Sequence, residues 1–406
     1  MKTTITDLDP AALSGRNVLV RSDLNVPMES GAIADDQRIQ ASLPTLQLLR
    51  DAGARIVVLS HLGRPKGVPN PEFSLAVVSE RLSELLKTPV HFVSDPIGEG
   101  GESIVDELRA GEVALLENTR FFPGDTANEA ELATRWAGLG DLFVNDAFGA
   151  AHRAHASTAG LASKVRAKGG IAVAGLLMAK ELRFLGEALR NPERPFVAIL
   201  GGAKISGKID VVSALLPEVD HLLIGGAMAN TFFRALGHDT GGSLVEPDRI
   251  DMARELIERA GEKLVLPVDA VVTDRIEEGA ATRVVTLDAV EDGDIIIDVG
   301  PETVALFTGL IGSAQTVVWN GPMGVFEIPA FARGTIQVAK ALADVCDRGA
   351  IGIIGGGDSA AAAEEAGVAH RLTHVSTGGG ASLELLAGRV LPGVESLNDK
   401  DDVEWP

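Results

Sequence analysis

Short apolar runs alternate along the chain with longer stretches of helical periodicity. The first half contains the runs NVLV, RIVVLS, EVALL and DLFV, and the second half contains FVAIL, HLLI, DIIIDV, TVVW and IGII. Strands buried on both faces read as continuous apolar runs, and strand–helix alternation is typical of parallel α/β sheets. The pattern predicts an α/β fold with two similar-sized, doubly wound parallel-sheet (Rossmann-like) domains.

The stretch GLLMAKELRFLGEALRNPERP lies between the two halves and predicts a helix that is ended by prolines. We expect an N-terminal domain over residues 1–176, a connecting helix over 177–194, a C-terminal domain over 195–390 and a final segment, 391–406, that returns toward the N-terminal domain. Two domains joined by one helix also predict a hinged cleft that closes.

The turns that follow the predicted strands differ between the halves. Those of the first half are charged, as in RSDLNVP and SHLGRPKG, whereas those of the second half are rich in glycine, as in LGGAKISGK and WNGPMGVFE. Parallel sheets bind ligands at the carboxyl ends of their strands, so the halves should bind chemically different groups.

Arginines and histidines recur at or just after the predicted strand ends of the first half. They are Arg21, Arg38, Arg64, Arg120 and Arg153, with His61 and His152. The planar guanidinium suits carboxylate and phosphate, which indicates a small, multiply anionic ligand. Asp23 and Asn25 add acceptors and donors for hydroxyl groups. Any single arginine could equally pair with a surface acid.

The stretch IIGGGDSAA ends a predicted strand in three glycines, where bare backbone N–H groups at a helix start suit a phosphate. It fits a dinucleotide fingerprint, but the acid that should follow at the end of the next strand is missing. GAKISGKI resembles a P-loop but has Ile209 where a hydroxyl should hold magnesium. Asp358 therefore becomes the candidate magnesium ligand, with a helix cap as the alternative.

A second glycine turn, STGGGAS, repeats this arrangement, and stacked helix starts of this kind form an anion cradle. Lys204 and Lys208 lie about one helical turn apart, and we expect at least one of them to bind phosphate.

The composition of the chain limits the kinds of partner that it can bind. The 406 residues carry a net charge of −21, which argues against nucleic acid and anionic membranes. Cys346 is the single cysteine, the start MKTTITDLDP lacks a signal-peptide pattern, and the longest apolar run is about half the ~20 residues of a membrane span. We expect a cytoplasmic protein with no nucleic-acid or membrane partner.

The sequence contains neither a G-x-S-x-G nor an H-E-x-x-H motif. A reaction that depends on positioning and charge neutralisation, rather than on a general base or a nucleophile, fits the residues that the sequence does contain. Phosphoryl transfer to or from a carboxylate is such a reaction, because a carboxylate with a pKa near ~4 is already deprotonated at neutral pH.

The motifs RSDLNVP, SHLGRP, LLENTRF, DAFGAAHRAHAS, GGAKISGKI, GGAMANTF, WNGPMGVFE, GGGDS and STGGGASLELL occur in this order from about residue 18 to about residue 393. In these motifs the chain closely resembles the phosphoglycerate kinase family. The resemblance implies a monomeric glycolytic enzyme that moves the acyl phosphate of 1,3-bisphosphoglycerate to ADP, giving 3-phosphoglycerate and ATP with Mg²⁺. Transfer would be in-line, after domain closure.

The resemblance also assigns roles to residues. The N-terminal domain would bind the phosphoglycerate through Asp23, Asn25, Arg38, His61, Arg64, Arg120 and Arg153. The C-terminal domain would bind Mg-nucleotide through Gly202, Ala203, Lys204, Lys208, Asn320, Glu327, Gly356, Gly357, Asp358 and Ser359, with Asp358 as the metal ligand. Catalysis would fall to Arg38, Lys208, Gly379 and Gly380.

Two rival functions stay open at the level of single motifs. One is an NAD-dependent dehydrogenase, which the missing ribose acid disfavours. The other is a two-lobed solute-binding protein, which would leave the second glycine cradle and its lysines unexplained.

Overall fold

The computed structural model describes the backbone of residues 1–402, and their side chains apart from those at 99–100, 187–190 and 402. The chain divides into two compact units. The first comprises Met1–Arg183 together with the segment that begins at Val390, and the second comprises Phe184–Arg389. Mixed α/β structure with a parallel sheet in each unit confirms the predicted fold class.

A parallel sheet of six strands forms the centre of the first unit, in the order β5-β6-β4-β1-β7-β8. The strands of this unit are β1 Asn17–Ser22, β2 Met28–Glu29, β3 Ala32–Ile33, β4 Arg55–Leu59, β5 Val90–Val93, β6 Val113–Leu116, β7 Leu142–Asp146 and β8 Ile171–Ala174. Its helices are α1 Pro10–Leu13, α2 Gln37–Asp51, α3 Ala76–Leu86, α4 Glu99–Glu107, α5 Pro123–Thr126, α6 Ala130–Gly138 and α7 Leu161–Ala167, and α8 Leu176–Arg190 leads out of it. The four runs predicted in the first half are strands of this sheet.

The second unit contains another parallel sheet of six strands, in the order β11-β10-β9-β15-β16-β17. Its strands are β9 Phe196–Leu200, β10 His221–Ile224, β11 Leu264–Val265, β12 Asp269–Thr273, β13 Thr282–Thr286, β14 Ile295–Val299, β15 Thr316–Asn320, β16 Ile351–Gly355 and β17 His374–Val375. Its helices are α9 Ile209–Leu215, α10 Met228–Leu236, α11 Ile250–Ala260, α12 Pro301–Ser313, α13 Arg333–Asp347, α14 Gly357–Glu365 and α15 Gly379–Leu386. The strand order is the 3-2-1-4-5-6 of dinucleotide-binding folds, so a ligand crevice is expected between the ends of β9 and β15.

One predicted parallel strand belongs elsewhere. The run DIIIDV forms β14, which pairs antiparallel with β12 in a separate sheet of three strands. The first residues of β14, Ile295 and Ile296, are only half-buried, whereas Val317 and Val318 of the central strand β15 are fully buried. An apolar run shows that a strand is covered, but it does not show the direction of its neighbour.

The boundary between the units, Arg183/Phe184, lies inside α8. The segment after Val390, which contains α16 Pro392–Glu395, packs against the first unit: Asn145 Nδ2 donates to the Gly393 carbonyl (2.8 Å). Residues 403–406 of the predicted final segment lie outside the described residues. The predicted domain limits and roles stay predictions. Within residues 1–402, no helix is long and apolar enough to cross a membrane.

Candidate active site

The loop after β1 carries the first group of predicted ligand residues. Asp23 is almost fully buried, and its Oδ2 accepts a hydrogen bond from Arg38 Nη1 of α2 at 2.7 Å. The Asn25 side-chain oxygen accepts from the Gly63 backbone N–H at 2.7 Å, which ties the β1 loop to the loop after β4. The ends of two neighbouring strands are thereby joined, as expected for ligand residues at one sheet edge.

His61 follows β4 and contacts Arg21, with Arg21 Nη2 and His61 Nδ1 2.9 Å apart. Burial, followed by the nearby charges of Arg21, Arg120 and Arg38, holds the pKa of His61 well below its usual range. Arg64, three residues later, is exposed. His61 is therefore a neutral group among cations.

Arg120 lies in the turn after β6, where Asn118 Oδ1 accepts the Arg120 backbone N–H at 3.0 Å. Its Nη1 donates to the Gly63 carbonyl at 2.8 Å. Burial and the charge of Arg21 lower the pKa of Arg120 to about 10, so it stays protonated at neutral pH. Because burial and nearby positive charges disfavour the charged form of Arg120, an anion that binds beside it stabilises that form.

Arg153 is exposed and donates from Nε to His152 Nε2 at 3.2 Å. Burial and the charges of Arg120, Arg21 and Arg153 lower the pKa of His155 to about 4, against the opposing effect of Asp125. Arg153 therefore lies close enough to act on the same histidine as Arg120 and Arg21. The first unit thus brings the predicted arginines and His61 into one cationic cluster.

Several residues of this cluster have no signal in the sequence. Asp125 is fully buried; its Oδ1 accepts from the Ser157 backbone N–H at 2.9 Å, and its charge acts on Arg21 and Arg120. Ser157 lies in a π-helical turn, Ala156–Gly160, a local irregularity that is frequent at functional sites. Asp125, the acid in FFPGDT, lies outside the quoted motifs, and Ser157 ends the motif DAFGAAHRAHAS but was not predicted as a site residue.

In the second unit, Lys208 lies at the expected crevice between the ends of β9 and β15. Its Nζ donates to the Gly201 carbonyl, to the Asn320 carbonyl (2.9 Å) and to Asn320 Oδ1 (2.7 Å). Burial lowers the pKa of Lys208 to about 8, against the opposing effect of Asp358. Lys204 is exposed on the loop before α9, so the two lysines are not equivalent.

The two glycine turns meet at the carboxyl edge of this sheet. Gly356 has φ +100°, a conformation that favours glycine, and it precedes the first turn of α14. A Cβ on Gly379, at the start of α15, would lie 3.4 Å from Gly356 Cα. Ser359 Oγ accepts from the Gly321 backbone N–H at 2.6 Å, which links α14 to the end of β15. Helix starts at Gly357 and Gly379 therefore lie side by side.

A pocket of about 260 Å³ lies beside these turns. Its walls include Gly202, Ala203, Gly226, Phe233, Met323, Gly324, Glu327 and Asp358. Gly226 has φ +67°, and a Cβ there would lie 2.4 Å from the Gly202 nitrogen, so two loops approach closely at this wall. The mostly apolar lining with few polar groups suits a flat base such as adenine. Gly226 and Phe233 were not predicted as site residues, although GGAMANTF contains Gly226 and Phe233 follows it directly.

Asp358 is exposed in the first turn of α14 and lines this pocket. Among the described residues, no three His, Cys, Asp or Glu side chains are grouped as a metal site. Mg²⁺ in phosphate chemistry is commonly held by one or two carboxylates together with substrate phosphates. A single exposed carboxylate at a phosphate-binding turn fits that mode of binding.

The family model for phosphoglycerate kinase matches residues 5–389. The chain belongs to the phosphoglycerate kinase family. The phosphoglycerate kinase of Dictyoglomus turgidum is 51% identical over 402 residues, covering 98% of this chain and 100% of the relative. That of Chloroflexus aggregans is 53% identical over 406 residues, with the same coverage. The solved phosphoglycerate kinase of Coxiella burnetii matches with a TM-score of 0.86 and 43% identity over 98% of each chain.

Membership of the phosphoglycerate kinase family makes the chain a phosphotransferase. The dehydrogenase and the solute-binding protein are thereby excluded as its function. The resemblance stated from the sequence motifs is confirmed.

Proposed function

We propose that the chain catalyses the reversible, magnesium-dependent transfer of the acyl phosphate of 1,3-bisphosphoglycerate to ADP, giving 3-phosphoglycerate and ATP. The observation that carries this proposal is the family match over residues 5–389. The two sites agree with it, because one is a cluster of cations and the other a pair of glycine turns beside an apolar pocket.

In this proposal the cationic cluster of the first unit binds the glycerate. Arg120 and Arg153 bind the phosphate that is not transferred, with Arg64 and His61 beside them. Asp23 and Asn25 hold the glycerate, and Asp23 also orients Arg38 through the 2.7 Å contact between Arg38 Nη1 and Asp23 Oδ2. Guanidinium groups suit this ligand because they bind carboxylate and phosphate through paired hydrogen bonds.

The second unit binds the nucleotide. Adenine lies in the pocket beside Gly202 and Ala203, and Glu327 holds the ribose hydroxyls. The phosphates lie at the start of α14, near Gly356, Gly357 and Ser359. Lys204, Lys208 and Asn320 complete this site, and Asp358 would hold Mg²⁺, which neutralises phosphate charge when bound.

Transfer requires little proton chemistry from the protein, because the carboxylate acceptor is ionised at neutral pH. Charge builds on the equatorial oxygens of the phosphoryl group in flight, and preorganised donors stabilise it. We assign this role to Arg38, Lys208 and the backbone N–H groups of Gly379 and Gly380. The transfer is in-line and follows domain closure, which excludes water. The enzyme would act as a cytoplasmic monomer without a nucleic-acid or membrane partner.

The decisive test is an assay of ATP formation from 1,3-bisphosphoglycerate and Mg-ADP, coupled to the enzyme that makes the acyl phosphate. We expect turnover that requires all three components. Thermal-shift titrations with 3-phosphoglycerate, Mg-ADP and NAD provide an independent readout, in which the first two should raise the melting temperature and NAD should not. Absence of turnover in a folded protein that binds both ligands would contradict the proposal.

A further inference from the structure

Arg21 is fully buried at the end of β1, yet the proposed reaction gives it no role. Among the described residues, the guanidinium donates three hydrogen bonds. Nη1 donates to the Ser22 carbonyl at 2.6 Å, Nε to Ser157 Oγ at 3.1 Å, and Nη2 points at His61 Nδ1 at 2.9 Å. The guanidinium is thus fixed by β1 on one side and by the π-helical turn on the other, and its remaining edge faces the imidazole.

The chemistry of these two groups fixes the proton on the ring. A guanidinium has five N–H donors and no acceptor, so a hydrogen bond from Arg21 requires an unprotonated Nδ1 on His61. The one proton of a neutral imidazole must then lie on Nε2. A doubly protonated ring would place an N–H of His61 against an N–H of Arg21.

The surroundings of His61 also oppose a charged ring. The side chain is 6% exposed, so the imidazolium would lose its hydration. Besides burial, the groups that act on it are the cations Arg21, Arg120 and Arg38 and the imidazole of His155, and together they lower its pKa. The carboxylates Asp125 and Asp23 act instead on Arg21, whose charge they support against burial.

We propose that Arg21 is a positioning residue that holds His61 as the neutral Nε2–H tautomer, so that the ring offers one hydrogen-bond donor to an oxygen of the bound phosphoglycerate. The identity of the ligand rests on the proposed function, whereas the tautomer does not. The arginines that reach the ligand supply its counter-charge, and His61 supplies a neutral, directed donor. Such a donor favours a ligand oxygen at one position, since a neutral group adds little attraction for an anion placed elsewhere.

The free enzyme gives the first test. Protein labelled with ¹⁵N in its eight histidines is examined by two-bond ¹H–¹⁵N correlation, and His61 is assigned by its loss in His61→Gln. We expect an unprotonated Nδ1 and a protonated Nε2 that persist between about pH 5 and 8, where an ordinary histidine titrates. A proton on Nδ1, or a ring that becomes charged in this range, would overturn the proposal without any reference to catalysis.

Two variants test the role of Arg21. Arg21→Met removes the donor to Nδ1, so we expect mixed tautomers or a normal titration of His61. The KM for 3-phosphoglycerate should rise between about 10- and 100-fold, the range for one hydrogen bond to a charged ligand, while the KM for Mg-ATP should hold. Ser157→Ala is the matched control, since it removes the Nε contact of Arg21 and spares the one to His61, and it should keep the tautomer.

An unchanged tautomer and an unchanged KM for 3-phosphoglycerate in folded Arg21→Met would show that Arg21 does not position His61. If that variant does not fold, Arg21→Lys, which keeps a charged donor group with no acceptor, should restore folding and retain the Nε2–H form. Loss of that form in Arg21→Lys would count against the proposal. The wild-type spectrum also separates the Arg21–His61 proposal from the proposed function. The expected tautomer in a protein that does not transfer phosphate would support the Arg21–His61 assignment and contradict the proposed function.

Discussion

Backbone carbonyls orient two arginines of the cationic cluster in the first unit. Arg120 Nη1 donates to the Gly63 carbonyl and Arg21 Nη1 to the Ser22 carbonyl, whereas Arg38 Nη1 donates to the carboxylate of Asp23. A carbonyl fixes the direction of a guanidinium without neutralising it, whereas a carboxylate does both. The cluster therefore keeps most of its charge for an anionic ligand.

Arg38 is the residue for which we expect the largest catalytic effect. Its side chain is 35% exposed beside the buried Asp23, so it is held in place yet reachable by a ligand. By analogy with arginine fingers, Arg38→Ala should lower kcat by ~10³ or more while Mg-ADP binding is nearly unchanged. Steady-state kinetics and nucleotide titration measure the two quantities.

Arg81→Ala is a suitable control for this change. Arg81 Nε donates to Asp36 Oδ2 at 2.8 Å, so it also belongs to an arginine–aspartate pair of the first unit, but outside the cluster. Its kcat should equal that of the unmodified enzyme. A near-normal kcat in Arg38→Ala would remove Arg38 from the transition state.

We expect the loss of charge on Lys208 to produce an alkaline limb in the pH profile of the reaction, that is, a fall in rate at high pH. Its pKa of about 8 means that the free enzyme loses this charge as the pH rises through that value, and with it an attraction for phosphate. We expect kcat/KM for Mg-ADP to fall above about pH 8, and the corresponding limb of kcat to lie at higher pH because bound phosphate favours the ammonium. Lys208→Arg does not titrate in this range and should lack the limb, whatever its absolute rate. A limb that persists in this variant would belong to another group.

At the scale of elements, the sequence predicted the glycine turns well. Three glycines after an apolar run indicate a strand that ends at a helix start, and GGGDS and STGGGAS both do so in the structure. The pattern did not reveal that Gly226 approaches the Gly202 nitrogen, or that Met323 closes the wall of the pocket. Those contacts depend on how separate loops pack, which no single stretch of sequence encodes.

Glu246 accepts hydrogen bonds from Ser206, which lies in the loop between β9 and α9. Glu246 Oε2 accepts from the Ser206 backbone N–H at 3.1 Å, and Glu246 Oε1 accepts from Ser206 Oγ. Against burial, which acts in the opposite direction, these hydrogen bonds hold the pKa of Glu246 below its usual value. Because the loop carries Lys204 and leads to Lys208, we infer that Glu246 sets its conformation.

A double-mutant cycle tests this inference. Ser206→Ala and Glu246→Gln should each raise the KM for Mg-ATP several-fold, because a looser loop places the lysines less well. The double variant should lose less than the sum, with a coupling of about 0.5–1.5 kcal/mol, as for one hydrogen bond. Strictly additive effects would show that the two residues act independently of each other.

At the scale of the whole molecule, the periodicity of the chain predicted two parallel α/β units because fully buried strands read as continuous apolar runs. The antiparallel sheet β13-β12-β14 was missed for the same reason, since DIIIDV is such a run in a different setting. The ligand residues of the motifs were predicted by resemblance. Their buried partners, such as Asp125 and Asn118, required the fold, because they act through contacts between distant segments.

Asp146 in the first unit and Asp298 in the second are buried carboxyl groups that accept a hydrogen bond from the start of a helix and have a raised pKa. Asp146 Oδ1 accepts from the Met178 N–H of α8 at 3.1 Å, and Asp298 Oδ2 accepts from the Gly334 N–H of α13 at 2.6 Å. In both, the other carboxyl oxygen is buried without a hydrogen-bond partner among the described residues. Burial raises the pKa of Asp146 to about 6 and that of Asp298 to about 7.

These two groups should make stability depend on pH in a definite direction. Between the unfolded pKa of 3.8 and the raised folded value, the native state binds a proton that the unfolded state has lost. The free energy of unfolding therefore falls as the pH rises through this window. Asp146→Asn and Asp298→Asn keep an acceptor for the helix N–H but do not ionise, so each should gain stability relative to the unmodified protein as the pH rises.

Between pH 5 and pH 8 the expected relative gain is about 1 kcal/mol for Asp146→Asn and about 3 kcal/mol for Asp298→Asn, from 1.36 kcal/mol per unit of pKa. Urea titrations of the unmodified protein and of the two variants, at pH 5 and at pH 8, measure this gain in the free energy of unfolding. Any effect of the amide that does not depend on pH is present at pH 5 as well and cancels in the comparison. The order of the two gains matters as much as their size, because burial raises both pKa values whereas the Thr45 side chain opposes the rise at Asp146 and has no counterpart at Asp298. Differences from the unmodified protein that are the same at both pH values would mean that neither carboxyl group titrates there, and that both are ionised in the folded chain.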